Sequence, residues 1–160
     1  LLPQKYNTSP KSLQAYAMGE HGFSSMIPFS RIMIGGKSLY QLQEDMPDRF
    51  PPLDEEALNE AVKHQGYVVL NGKGSTEFGI ATATVELIRA ILHDEKKILP
   101  CSVALDGNYG EDHVYASTPV ILGKDGVEAI IELPMTDKEQ ELFHKSCELI
   151  RSYMAKAEEI

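Results

Sequence analysis

The stretch "GEHGFSSM", Gly19 to Met26, sets a single histidine between two glycines at the end of an apolar run. Imidazole is the side chain whose ordinary pKa lets it give and take a proton near neutral pH, so His21 is the first candidate for a general acid/base. Gly19 and Gly22 flank the ring with bare backbone, which lets a flat ligand come close, and glycine can adopt the positive-φ turn needed to aim the ring. Glu20 is not a ready-made partner. Adjacent side chains on a strand point to opposite faces, so its carboxylate is expected to support the site from behind. These features alone leave catalysis and plain packing both open.

Thr76 and Ile80 form a second candidate group. They lie one helical turn apart and share a face, and Gly79 thins the helix beside them. The pair could line a pocket, but on pattern alone capping by Ser75 and Thr76 and core packing by Ile80 is the preferred reading. The remaining histidines have structural readings: His64 and His144 on exposed helix faces, His93 near a helix C-terminus, His113 at a strand start. No two histidines have the HExxH or HxxxH spacing of a helical zinc site, so no metal is expected. Two glycine-rich matches fail. "GGKS" would complete a P-loop only with glycine at the position held by Arg31, and "GKGSTEFG" would be a dinucleotide fingerprint only with glycine in place of Glu77. The chain alone therefore should not hold a dinucleotide.

The elements that must position these residues can be read from periodicity and turn chemistry. "LQAYAM" alternates well enough for a short strand running into Gly19, and "SMIPFSRIMIGGKSL" suggests a strand, a tight turn at Gly35-Gly36 and a short return strand. "QEDMPDRFPPLDEE" is expected to be a loop, with Asp54 capping a helix that runs to about Asn71. Ser75 is expected to cap a second helix, with apolar positions Ile80, Val85, Ile88, Ile91 and Leu92, that ends near His93. "KILPCSVALDG" and "DHVYASTPVILG", joined by "NYGE", and then "GVEAIIEL" suggest an antiparallel meander. Thr136-x-x-Glu139 has the capping-box form, and Leu142, Phe143, Ser146, Cys147, Ile150, Tyr153 and Met154 make an apolar stripe along a C-terminal helix. Strands segregated from helices in sequence point to an α+β fold with an antiparallel sheet packed against long helices.

Composition narrows the class. With 160 residues, 42% hydrophobic and 24% charged, the chain is expected to be one soluble folded domain over residues 1–160. A formal charge of −9, from 15 Lys+Arg against 24 Asp+Glu, disfavours nucleic acid and anionic membrane as partners. No stretch has the apolar length of a spanning helix. Cys101 and Cys147 form no disulfide framework or metal knuckle and are expected to be reduced, buried thiols, which favours a cytoplasmic location. The opening "LLPQKYNTSPKSL" reads like the tail of a helix cut from a longer chain.

Taken together and in this order, "MGEHGFSSMIPFS", "VVLNGKGSTEFGIATATVELIRAIL", "LDGNYGEDHVYASTPVILGKDGVEAIIEL" and the closing amphipathic helix resemble the C-terminal catalytic domain of bacterial L-lactate dehydrogenases and the related L-2-hydroxyisocaproate dehydrogenases. "GEHG" is more similar to the lactate than to the malate branch of that superfamily. The resemblance implies an NAD-dependent oxidoreductase interconverting L-lactate and pyruvate, with L-2-hydroxyisocaproate dehydrogenase, acting on bulkier 2-oxo acids, as the nearest alternative and a non-catalytic assembly module as a third. It implies His21 as the proton donor/acceptor, Thr76 in the substrate pocket, Ile80 against the nicotinamide ring, and Gly66 where family members tune room for the substrate side chain. NAD is then bound mainly by an N-terminal Rossmann domain outside this chain, which also carries the Asp-x-x-Arg pattern. The partners implied are a small 2-oxo or 2-hydroxy acid, the protein's own Rossmann domain and further copies in a homotetramer. The isolated piece is expected to be inactive. Two positions depart from the family pattern: Phe23, where aspartate usually follows "EHG", and Gln14, where members regulated by fructose 1,6-bisphosphate carry a histidine.

Overall fold

Alternation in the two β-rich runs builds the larger sheet. In the computed structural model, which describes residues 1–158, β4 (Lys97–Asp106), β5 (Asp112–Gly123) and β6 (Gly126–Ile130) form an antiparallel meander in that spatial order. Along β5, every second residue from Val114 to Leu122 (Val114, Ala116, Thr118, Val120 and Leu122) is buried, so these side chains share one face. Val103 and Leu105 of β4 join that face. Its partner is helix α5 (Asp137–Glu158), whose Phe143 and Cys147 are fully buried in the same cluster. Burying a side chain of this size contributes roughly 2 kcal/mol. The other face of the sheet, carrying Pro100, Ser102 and Ser117, looks toward the cleft described below.

The start of α5 is as the sequence predicts. Thr136 and Glu139 make the reciprocal capping box, with Thr136 N–H donating to Glu139 Oε2 at 2.9 Å and Glu139 N–H to Thr136 Oγ1 at 3.3 Å. Glu139 is buried and also accepts from Ser30 N–H at 2.9 Å and Ser30 Oγ at 2.6 Å. Burial pushes its carboxyl up, but the hydrogen bonds from Ser30 and Thr136 outweigh that and hold it below the usual range. The residue therefore locks the helix to the segment that follows the His21 loop.

The N-terminal half has its own hydrophobic cluster, around Tyr6, Ile32, Leu39 and Phe50. It contains α1 (Leu2–Lys5), a small sheet of β1 (Leu13–Gln14), β2 (Met33–Ile34) and β3 (Lys37–Ser38), and helix α2 (Leu39–Asp45). The Gly35-Gly36 turn is present, with both glycines at positive φ. Three expectations need correction. The strand read in "LQAYAM" pairs only over Leu13–Gln14, because its neighbour β2 is two residues long. Beyond that, only isolated bridges continue the pairing, Met18 with Met26 and Gly19 with Ser117. The apolar run before the Gly-Gly turn is not continuous strand, since Phe29–Arg31 forms a 3-10 turn. And the start of the supposed loop is helix α2, capped by the reciprocal Ser38/Gln41 box.

Two long helices complete the chain, α3 (Glu55–Lys73) and α4 (Glu77–Leu92). Asp54 accepts from Ala57 N–H at 2.9 Å as the N-cap of α3, which Gly74 ends in the left-handed region at φ 84°. The N-cap of α4 is Thr76 and not Ser75, and the Thr76 side chain makes no capping bond. Ser75 and Lys73 instead hold the Glu77 carboxyl below its ordinary value. Leu58 and Val62 of α3 pack on the N-terminal cluster, and α4 lies against β5. No α3 residue is fully buried, and in α4 only Ala90 is.

Candidate active site

A cleft of about 1030 Å³ opens between the His21 loop, α3, the start of α4 and the open face of the sheet. His21, Gly66, Thr76 and Ile80, drawn from three separate elements, all line it. His21 is exposed to the cleft. Ile80 is 61% exposed, which sets aside the preferred pattern reading of this residue as core. Thr76, free of capping duty, offers a hydroxyl at the same opening. At Gly66 an added methyl group would meet no atom within 4 Å, so the position leaves room.

The loop that carries the imidazole is fixed from three sides. Gly19 N–H donates to Ser117 O at 3.0 Å and Ser117 N–H returns to Gly19 O at 2.9 Å, stitching the loop to β5. Met18 and Met26 exchange a second such pair, which closes the loop at its base. From α5, Ser146 Oγ accepts from Glu20 N–H at 2.8 Å and lies 3.0 Å from Ser24 Oγ. Glu20 folds back within the loop, where its Oε2 accepts from Ser24 N–H at 3.0 Å and from Ser24 Oγ at 2.6 Å. Glu20 thus supports the loop instead of touching the imidazole. Close approach explains both glycines: a Cβ on Gly19, whose φ is +85°, would fall 2.3 Å from Ser146 Oγ, and one on Gly22 would fall 2.0 Å from Glu20 Oε1.

Sequence reasoning missed Ser146. Counted within the apolar stripe of α5, it is fully buried, and its signal was that a hydroxyl in such a stripe must find a partner. It also missed an aromatic cluster on the cleft wall. Phe23 stacks on Tyr67 with ring centroids 6.0 Å apart and planes 19° apart, and meets His64 edge-on at 5.6 Å. His64 is exposed, as expected, but it is part of this cluster. His144 is likewise exposed on its helix, as expected, and it also has a carboxylate partner. Its Nδ1 lies 2.7 Å from Oε1 of Glu111, a buried carboxylate whose other oxygen accepts from Arg151 Nη2 at 2.6 Å. Glu111 first, by hydrogen bond and then by charge, raises the His144 pKa.

Nucleophilic thiol chemistry has no support. Both cysteines are free; burial raises Cys101, and burial followed by the Glu111 charge pushes Cys147 up to about 12, so neither is a thiolate at neutral pH. Among the described residues no group of three or more His, Cys, Asp or Glu side chains is placed to hold a metal ion, and no helix is long and apolar enough to cross a membrane. The arrangement suits proton transfer by one accessible imidazole beside a mostly apolar wall.

The family model for the lactate/malate dehydrogenase alpha/beta C-terminal domain matches residues 1–160. "L-lactate dehydrogenase 3" of Bacillus thuringiensis subsp. konkukian is 32% identical over 154 residues, 96% of this chain and 49% of the relative. The L-lactate dehydrogenase of Lactobacillus helveticus is 36% identical over 151 residues, 94% of this chain and 46% of the relative. Among solved structures, the minor L-lactate dehydrogenase from Enterococcus mundtii in its ligands-bound form superposes with a TM-score of 0.90 at 30% identity, over 97% of this chain and 49% of that one. The chain spans about half the length of the relatives it matches.

Proposed function

The chain belongs to the lactate/malate dehydrogenase family, of which it is the alpha/beta C-terminal domain, and from that premise we propose that it is the substrate-side half of an NAD-dependent L-lactate dehydrogenase. The observation that carries this reading is that His21, Thr76, Ile80 and Gly66 line one cleft, with the imidazole accessible and its loop held by β5 and α5. In this reading His21 gives its proton to the 2-oxo group as the carbonyl is reduced, and takes it back from the 2-hydroxy group in the reverse direction. Thr76 borders the bound acid, and Gly66 leaves room for its side chain. That space also supports the neighbouring reading, a 2-hydroxyisocaproate dehydrogenase acting on bulkier 2-oxo acids.

The residues fit the nicotinamide end of NAD and no more of it. Ile80 and Leu87 give α4 an apolar edge in the cleft against which a flat ring can pack, while no glycine-rich phosphate loop exists in the sequence. When bound, the cofactor supplies the hydride. The chain's own part is to place the acid/base, exclude water beside Ile80 and hold the substrate's side chain. We assign the phosphate-binding role to the protein's own Rossmann domain, and expect the chain by itself to neither bind NADH nor reduce pyruvate. A cytoplasmic homotetramer is part of the same proposal; the free thiols and the exposed apolar residues of α3 and α4 support it.

The test is steady-state NADH oxidation by the full-length protein with pyruvate. His21→Asn, whose amide can hydrogen-bond but has no group that gives and takes a proton near neutral pH, is expected to lower kcat about 10²- to 10⁴-fold. Turnover within threefold of the unsubstituted protein, on the order of the noise of such effects, removes His21 from its role and the proposal with it.

A further inference from the structure

Phe23 and Tyr67 are exposed aromatic side chains of the cleft wall that lie outside the hydrophobic core. They are 57% and 50% exposed, belong to neither hydrophobic cluster, and come from different elements, the His21 loop and α3. Yet their planes lie nearly parallel in an offset stack, and His64 meets the group edge-on. An exposed stack of this kind leaves apolar area in water that only a ligand or a neighbouring surface can cover. Its position is specific: Phe23 lies two residues from His21, and Tyr67 directly follows Gly66, the open position.

The charges nearby are already committed. Lys63, which also lines the cleft, pairs with Glu60 at 2.7 Å, and the Glu20 carboxylate is held by Ser24. What the wall presents is therefore two flat rings beside the open position at Gly66, in the same cleft as His21. We propose that Phe23 and Tyr67 form a side-chain subsite that makes this cleft select 2-oxo acids bearing an aryl group. This rests on the reading of the cleft as a 2-oxo acid site and specifies which acids it prefers. A phenyl ring extending from the reacting carbon passes over Gly66 and packs against the stack, where aromatic faces and edges attract one another beyond the area they bury. Pyruvate, with a methyl group there, leaves the rings uncovered.

The experiment measures kcat/KM of the full-length protein with NADH for phenylpyruvate, 4-methyl-2-oxopentanoate and pyruvate, and repeats it for Phe23→Ala, Tyr67→Ala and Phe23→Leu. Both rings are half exposed or more, so these variants do not remove core packing. The expected result is a phenylpyruvate-to-pyruvate ratio about tenfold or more in favour of the aryl acid, falling about tenfold in either alanine variant. Phe23→Leu is expected to shift preference toward 4-methyl-2-oxopentanoate. A protein that reduces pyruvate, but whose ratio stays within about twofold in all three variants, overturns the subsite and leaves the dehydrogenase reading standing; the rings then serve to pack a neighbouring domain. Folded protein that oxidises NADH with none of the three acids overturns the dehydrogenase reading itself, and the subsite falls with it.

Discussion

Gly19 has the least freedom of any residue around the imidazole. Its φ of +85° suits glycine, and a Cβ there would stand 2.8 Å from Ser146 Cβ, an atom that cannot move without moving α5. Gly19→Ala is therefore expected to cost about 2 kcal/mol from backbone strain alone, read as a lower urea midpoint. In the full-length protein it should also lower kcat more than it raises KM, because in the proposed function the loop carries the acid/base and not the substrate. His21 and the two glycines were legible in the sequence because a bare-flanked histidine is unusual in itself. Gly66 was singled out only through resemblance, whereas the helical spacing of Thr76 and Ile80 had already suggested a pocket-lining pair. Ser146 was not legible, since a stripe counted for its apolar residues hides the one hydroxyl that anchors the loop. Phe23 stood out as a departure, but nothing in one dimension could pair it with Tyr67.

At the scale of elements, α5 is held at two places, by the segment that follows the His21 loop and by the turn between β4 and β5 of the meander. Glu139 ties its first turn to Ser30, and Glu111 at the foot of β5 receives both His144 and Arg151. The His144 pKa is raised by its hydrogen bond to Glu111. Its contribution to stability is thus fully present below the ordinary histidine value and lost as pH rises through the raised one. His144→Gln should destabilise the fold most near about pH 6, and the difference should close toward about pH 9, as followed by thermal melts across that range; Glu148 at 3.4 Å and Arg151 modulate the window. A constant difference across the range would remove the charge from the account. The sequence showed α5 and the meander well, because long periodic segments carry many agreeing residues. Helix α2 was lost although Ser38-Leu39-Tyr40-Gln41 spells a capping box, because the acidic, proline-bearing stretch behind it dominated the reading. The strand expected through "LQAYAM" failed for a different reason: pairing length is set by the partner, and β2 offers two residues.

The molecule as a whole leaves two of its longest helices half dressed. Phe78 and Leu92 of α4 are 70% and 76% exposed, and Val85 and Ile88 of α4 and Val68 of α3 are exposed as well. The chain on its own is expected to self-associate, with a sedimentation coefficient that rises with concentration and falls when Val85 and Leu92 are replaced by Lys. A monomer at all concentrations would mean that these residues bury against one another in solution. The acid composition and α+β class were readable from the sequence, whereas which helical faces go uncovered was not, because an amphipathic pattern tells that a face is apolar and not what meets it. The Gly19–Ser117 bridge has one more implication. It ties the aim of the imidazole to the alignment of β5 with β4, so that a slip of one residue in that ladder would carry the loop toward the opposite side of the sheet. Transplanting "GEHG" into another scaffold therefore transfers the letters and not the geometry, unless the strand beneath it comes along.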